Sequence, residues 1–167
     1  MISLDLIMLS ENLAAFMEID GKFYKMQGFS KLDILSVPEV YARKYINNDF
    51  KSVTVTGGDT KISYAFDRMK NFKVHDVLSR IADLNLSGDK ATVKIVLVDF
   101  DNEQDGKFYA IKQSFAVVCK DVRPEDGFLD YFGMFISSGK ASEGAVTSCD
   151  GFETADFTEK RRGILCD

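Results

Sequence analysis

The sequence predicts a mainly β fold, an antiparallel β-sandwich or barrel with one flanking α-helix at about residues 73–85. Three observations lead there. Apolar residues alternate with polar ones at period two through most of the chain. A single stretch switches to helical spacing, with Val74, Val77, Leu78 and Ile81 at i, i+3, i+4 and i+7. The 167 residues contain only two prolines and no Gly/Ser linker, so they form one domain, residues 1–167. One helix is too few for a parallel α/β sheet.

The elements follow in order. Residues 1–15 are apolar but carry Asp5 and Glu11 and lack a basic leader, so they do not read as a signal peptide; an N-terminal arm lying on a neighbour and an extra strand are the two readings. Met17 and Ile19 alternate with Glu18 and Asp20, Asp20-Gly21 is a hairpin turn, and Phe23 to Gln27 returns. Residues 37–51 read as a long inter-strand loop. Val53 and Val55 alternate with threonines, Gly57-Gly58-Asp59 permits a reversal, and Ile62, Tyr64 and Phe66 alternate in a second strand. Asn71 is the expected N-cap of the helix and Gly88 its stop. Ala91 to Phe100 is apolar on both faces in its second half, so both faces are expected to be buried. Asp101 to Gly106 is a polar turn. Tyr109, Ile111, Phe115, Val117 and Cys119 build the next strand, and Asp121 to Asp126 with Pro124 is a loop. Phe132, Met134 and Ile136 alternate again, Phe152 to Thr158 is a last strand, and 159–167 is a charged tail. The total is seven or eight strands.

Composition narrows the function classes. Lys plus Arg is 21 against 26 Asp plus Glu, a net charge of −5, which disfavours a protein that grips duplex DNA by its phosphates. No apolar run approaches the length of a membrane-spanning helix, so no membrane role is expected. Cys119, Cys149 and Cys166 are odd in number and widely spaced. They read as reduced thiols, not as a disulfide framework or a metal knuckle.

No constellation points to catalysis, a metal or a cofactor, so the chain is expected not to be an enzyme. His75, the single histidine, reads as a helix-surface or boundary residue. Asp101-Asn102-Glu103-Gln104-Asp105-Gly106 resembles the start of a calcium loop, but Lys112 stands where the bidentate Glu is required. Gly57-Gly58-Asp59-Thr60 lacks the Lys-Ser/Thr ending of a phosphate loop and precedes a strand. The chain has 14 Phe and no Trp; the Phe fit core faces of strands better than a base-stacking platform.

Residues 38–68 read PEVYARKYINNDFKSVTVTGGDTKISYAFDR, preceded by Gly28-Phe29-Ser30-Lys31-Leu32. With Ser114-Phe115-Ala116-Val117-Val118 and the aromatic strand Asp130 to Ser138 downstream, this order resembles the major tail (tail tube) proteins of tailed bacteriophages, phage-like particles and tail-like bacteriocins. The likeness runs over roughly residues 16–140. It departs at Gly58, where an aromatic is expected, and at Cys119-Lys120, where a Pro-Asp turn is common.

The resemblance implies a structural subunit of a virion tail, assembled in the bacterial host cytoplasm. Copies form hexameric rings that stack into a hollow conduit for DNA. Its partners are then further copies of itself, tape-measure, tail terminator and baseplate proteins and, around a contractile tail, a sheath protein. The alternatives are a baseplate or tail-completion ring protein of the same fold, or a small β-rich ligand-binding domain. The resemblance makes Tyr41, Tyr45 and Ile46 in the long segment ring-stacking candidates; the other reading tucks them onto their own sandwich. Thr54, Thr56, Ser63 and Asp67, on polar strand faces, are lumen candidates, with an ordinary solvated outer face as the alternative.

Overall fold

The computed structural model describes residues 13–44, 46, 51–149 and 154–160. Among these are nine strands: β1 (Leu13–Ile19), β2 (Lys22–Lys25), β3 (Phe29–Lys44), β4 (Lys51–Asp67), β5 (Thr92–Gln104), β6 (Lys107–Glu125), β7 (Phe128–Ser137), β8 (Ser142–Cys149) and β9 (Thr154–Glu159). One helix, α1 (Lys73–Asp83), stands between β4 and β5, where the apolar stripe predicts it.

All nine strands belong to one antiparallel sheet in the order β3-β4-β7-β6-β5-β1-β2-β9-β8, and β8 also pairs with β6. That last pairing closes β6, β5, β1, β2, β9 and β8 into a six-stranded barrel. Phe16, Phe23, Val96, Val98, Ala110, Val146 and Ala155 fill it. Beyond the barrel the sheet continues as an open wing, β6-β7-β4-β3. A second core lies between α1 and the wing and barrel wall, with Met17, Leu32, Ile62, Phe66, Leu78, Ile95, Phe115, Tyr131 and Phe135.

The two cores explain the strands that are apolar on both sides. In β5, Val93 and Ile95 enter the helix-side core while Val96 and Val98 enter the barrel. In β1, Ala15 and Met17 face one core, Ala14 and Phe16 the other. Strict alternation is lost because a shared wall has no wet face.

Several expectations need correction. The segment 37–51 is not a loop through most of its length: Val37–Lys44 continues β3 and pairs with Lys51–Asp59 of β4. No reversal occurs at Gly57-Gly58-Asp59. Gly58 lies opposite Pro38, and a Cβ there would meet the Pro38 Cα and the Val37 carbonyl at 3.0 Å, so glycine permits the approach of two strands. The strand β6 runs through 121–125, and its turn is only Asp126-Gly127, with positive φ of 48° and 85°. Pro38 and Pro124 both sit in edge segments, where a missing N–H is tolerated. Likewise β5 extends to Gln104, and only Asp105-Gly106 turns.

Further corrections concern the termini of elements. The strand β8 was not anticipated. The helix N-cap is Phe72, not Asn71, and the helix ends at Asp83, before Gly88, with Asn85 taking a φ of +48°. Leu13–Ala15, the end of the segment expected as an arm or an extra strand, belong to β1; residues 1–12 lie outside the described residues, as do 161–167 of the charged tail.

Candidate assembly surfaces

The wing leaves two strand edges without a neighbour among the described residues. One is β3, which pairs only with β4. The other is the second half of β6. Its partnership with β5 ends at Thr92–Ala116, so Val117–Glu125 pairs only with β7. That edge is about 30 Å long at ordinary strand rise. Unpaired edges of this length invite pairing with another chain.

The outer part of β3 and β4 forms an arm. The last residue of β7 to pair with β4 is Ile136, opposite Lys61. Past it, Ser36–Lys44 and Lys51–Thr60 pair only with each other and project roughly 30 Å. Ser137 Oγ accepts the Thr60 N–H at 2.9 Å where the arm leaves the sheet. Apolar side chains stand in water on both arm faces: Val40, Val53 and Val55 on the helix side, Val37 and Tyr41 on the other. Tyr41 is 55% exposed, Val55 67%, and Ile46 fully exposed in the turn at the tip. Tyr45 lies outside the described residues. An isolated two-stranded ribbon with this surface is marginal in water.

The lumen candidates fall on the wing face opposite α1. Ser63 and Asp67 alternate with the buried Ile62, Tyr64 and Phe66. Thr54 joins them because of a bulge: Glu39 pairs with Gly57 and Val40 with Val55, which leaves Thr56 as the extra residue. Without the bulge Thr54 would face the helix side. Thr56 donates its hydroxyl to the Glu39 carbonyl at 3.3 Å. On the same face Tyr41 stands opposite Thr54 and Asp33 opposite Ser63. The wing body there carries Asp33, Asp67, Asp121 and Asp130 against Lys31, Lys61 and Arg123. Four acids against three bases give these positions a net negative charge. Asp67 lies directly opposite Asp130, and Asp130 opposite Arg123, which also holds Asp121. The Arg123 hydrogen bond and charge, with the Val122 N–H, hold the Asp121 carboxyl below the usual range.

His75 is fully buried, not at a boundary. Its Nε2–H donates to the Gln27 carbonyl at 2.8 Å, and its Nδ1 accepts the Met69 N–H at 3.1 Å. Phe29, Phe66 and Phe72 surround the ring. Both nitrogens are satisfied in the neutral form, and burial pushes the imidazole below its ordinary value. It binds the helix to the chain just before β3 and just after β4, at the end of that strand pair away from the arm. Helical spacing did not reveal this, because His75 flanks the stripe by one residue.

Among the described residues no three His, Cys, Asp or Glu side chains converge as a metal site. The Cys119 thiol is half-buried and donates to the Phe132 and Asp121 carbonyls, and burial pushes its pKa up, which disfavours the thiolate. An open cavity of about 590 Å³ lies between the β5–β6 turn and β8–β9, lined by Gln104, Lys107, Tyr109, Thr158, Glu159 and Lys160, without a nucleophile–base pair. No described helix is long and apolar enough to cross a membrane.

No family model matches the chain. No curated protein matches it. Solved structures do. A chain of the virion of a native gene transfer agent particle superposes with a TM-score of 0.59 at 14% identity, over 81% of this chain and 97% of that one. A chain of the tail of an empty gene transfer agent particle, solved with C6 symmetry, gives 0.60 at 14%, over 80% and 96%. A chain of an anti-feeding prophage baseplate gives 0.49 at 8%, over 81% and 93%. The first two carry the comparison: this chain has the fold of a gene transfer agent tail component, and the resemblance read from residues 16–140 agrees with it at the level of fold.

Proposed function

We propose that the protein is the structural subunit of a phage-type tail tube, in which six copies close into a ring and rings stack into a hollow conduit for DNA. The observation that carries the reading is the open wing with two edges unpaired among the described residues. In the order β3-β4-β7-β6 each strand reverses its neighbour, so β3 and β6 run in opposite directions. Copies related by a rotation axis along the strands bring β3 of one beside β6 of the next, antiparallel. The seam thus repeats the pairing found inside the wing, and closure removes every edge. Six is the number suggested by the C6 symmetry of the similar tail.

The helix and its core occupy one wing face, so the opposite face lines the conduit. Ser63, Asp67 and Thr54 then look into the lumen, and its net negative charge repels phosphate and lets DNA slide. The arm, with Tyr41 and Ile46, reaches beyond its own ring. A head-to-tail contact of that kind does not close on itself and gives a filament. The role is architecture in a virion tail, with no turnover.

Negative-stain microscopy and sedimentation of the purified chain test the reading. Hollow tubes are expected. Single rings that never stack would favour a baseplate or tail-completion protein. A monomer that stays monomeric with tail initiator proteins present, and binds a small ligand, would overturn it.

A further inference from the structure

The two free edges of the wing carry the same irregularity. In an antiparallel sheet the N–H and C=O of one residue point to the same neighbour, and the direction alternates along the strand. The Arg68 N–H donates to the Leu129 carbonyl at 3.0 Å, so Leu129 is turned toward β4, and Asp130, Phe132 and Met134 toward β6. Their partners Arg123, Asp121 and Val118 are turned toward β7, which leaves the backbone of Val117, Cys119, Val122 and Pro124 facing outward. The same alternation, carried through β4, turns Lys31, Asp33 and Leu35 inward and Phe29, Leu32, Ile34, Ser36 and Pro38 outward. Outward residues follow at every second position, except at one step on each edge. Ser30 is an extra residue between Phe29 and Leu32, and Lys120 is one between Cys119 and Val122.

We infer that the two bulges are a register key: the β3 edge of one copy joins the β6 edge of the next in the single register that sets Ser30 level with Lys120. The inference rests on the tube reading and adds the register to it. Along the rungs of the wing, Phe29 is level with Val122, Leu32 with Cys119 and Ile34 with Val117. All of these face outward, so each couple exchanges two backbone hydrogen bonds and the long steps coincide. A shift by one rung pair either way sets a bulge against regular strand and breaks the ladder. The side chains agree with this register. On the helix side Ile34, 40% exposed, meets Val117, and Val122, 36% exposed, meets Phe29. On the other face Lys31 stands directly opposite Asp121, a favourable cross-strand pair. The chain's two prolines mark where the ladder stops. Pro38 lies past Leu35, which is level with Ala116, where β5 takes over the β6 edge. Pro124 is the next outward position after Val122. Neither offers an N–H to the outside, so each edge resists a further strand.

The test uses the full chain with Cys119, Cys149 and Cys166 replaced by serine. Asp33→Cys/Val118→Cys puts one thiol on each edge, at positions the register sets opposite and within disulfide reach. Oxidised tubes of this variant are expected to give a disulfide ladder up to the hexamer on denaturing gels. Asp33→Cys/Ala116→Cys and Asp33→Cys/Asp121→Cys, each one rung pair out of register, are expected to give none. Tubes that yield a ladder from either of these, or none from Asp33→Cys/Val118→Cys, overturn the inference and leave the tube reading intact. Wild-type tubes supply a second measurement, which decides if the variants fail to fold or assemble. Deuterium exchange read at single amides is expected to slow on assembly at Leu32, Ile34, Val117, Cys119 and Val122 and to stay unchanged at Ser36. Protection that includes Ser36, or is missing at Val122, overturns the inference. A wild-type chain that forms neither rings nor tubes overturns both the inference and the reading beneath it.

Discussion

Tyr64 on β4 lies directly opposite Gly133 on β7, and its phenol covers the glycine: a Cβ on Gly133 would sit 2.5 Å from the Tyr64 hydroxyl oxygen. The Val118 carbonyl crowds the same spot from β6. Tyr64 also contacts Phe66 and Phe135 by its ring. The absence of a side chain at 133 thus lets the aromatic layer of the helix-side core reach across three strands. Gly133→Ala is expected to destabilise the fold by about 1–3 kcal/mol, the usual cost of overpacking. Urea unfolding against wild type measures it; an unchanged midpoint would show that the phenol moves aside freely.

Acid is expected to weaken the fold through His75. Burial lowers its pKa in the folded state, and the Gln27 carbonyl, Asp76 and Asp67 oppose that only in part. In the unfolded chain it titrates near 6.5. The folded pKa is the lower one, so the unfolded state takes up a proton first. The stability is therefore fully present above about pH 6.5 and is lost as pH falls through the folded value. Unfolding free energies at pH 7.5 and 5.0, compared with those of His75→Gln, isolate the effect from that of the carboxylates. Because the chain has one histidine, its ring resonance reports the titration directly. An ordinary midpoint near 6.5 in the folded protein would refute the prediction.

Asp67 and Asp130 are like charges paired directly across β4 and β7. Such pairs destabilise a sheet. Asp67→Lys is expected to raise subunit stability by roughly 0.2–1 kcal/mol, since cation and carboxylate then face each other. If the face lines the conduit, the same change should slow DNA passage, and added salt should restore it. A stability gain with unaltered ejection would place Asp67 outside the lumen.

Val53 and Val55 are exposed on the arm. Val53→Lys/Val55→Lys should leave the melting transition of the monomer within about 0.5 kcal/mol, as exposed substitutions usually do. Assembly should stop at single rings. Scanning calorimetry and sedimentation velocity read the two effects separately. Tubes of normal length would mean that the arm does not hold rings together.

Local sequence determined whatever local chemistry enforces. Asp20-Gly21 turns with φ of 51° and 80° because the pair tolerates the left-handed region that a tight hairpin needs. Val74, Leu78 and Ile81 made the helix legible because one stripe faces one core. Ile95 to Val98 signalled double burial by carrying no polar residue. Only the tertiary structure decided the rest. Gly57-Gly58 looks like a turn until Pro38 lies against it, since glycine serves close packing as readily as reversal. Residues 121–125 look like a loop because an edge strand can hold charge and proline on its unpaired side. His75 looks peripheral because its two hydrogen-bond partners, Gln27 and Met69, come from other connections of the chain. Thr54 owes its face to a one-residue bulge that period-two counting does not register. Periodicity encodes which side chains are buried, but edges, bulges and long-range partners exist only once the strands have met.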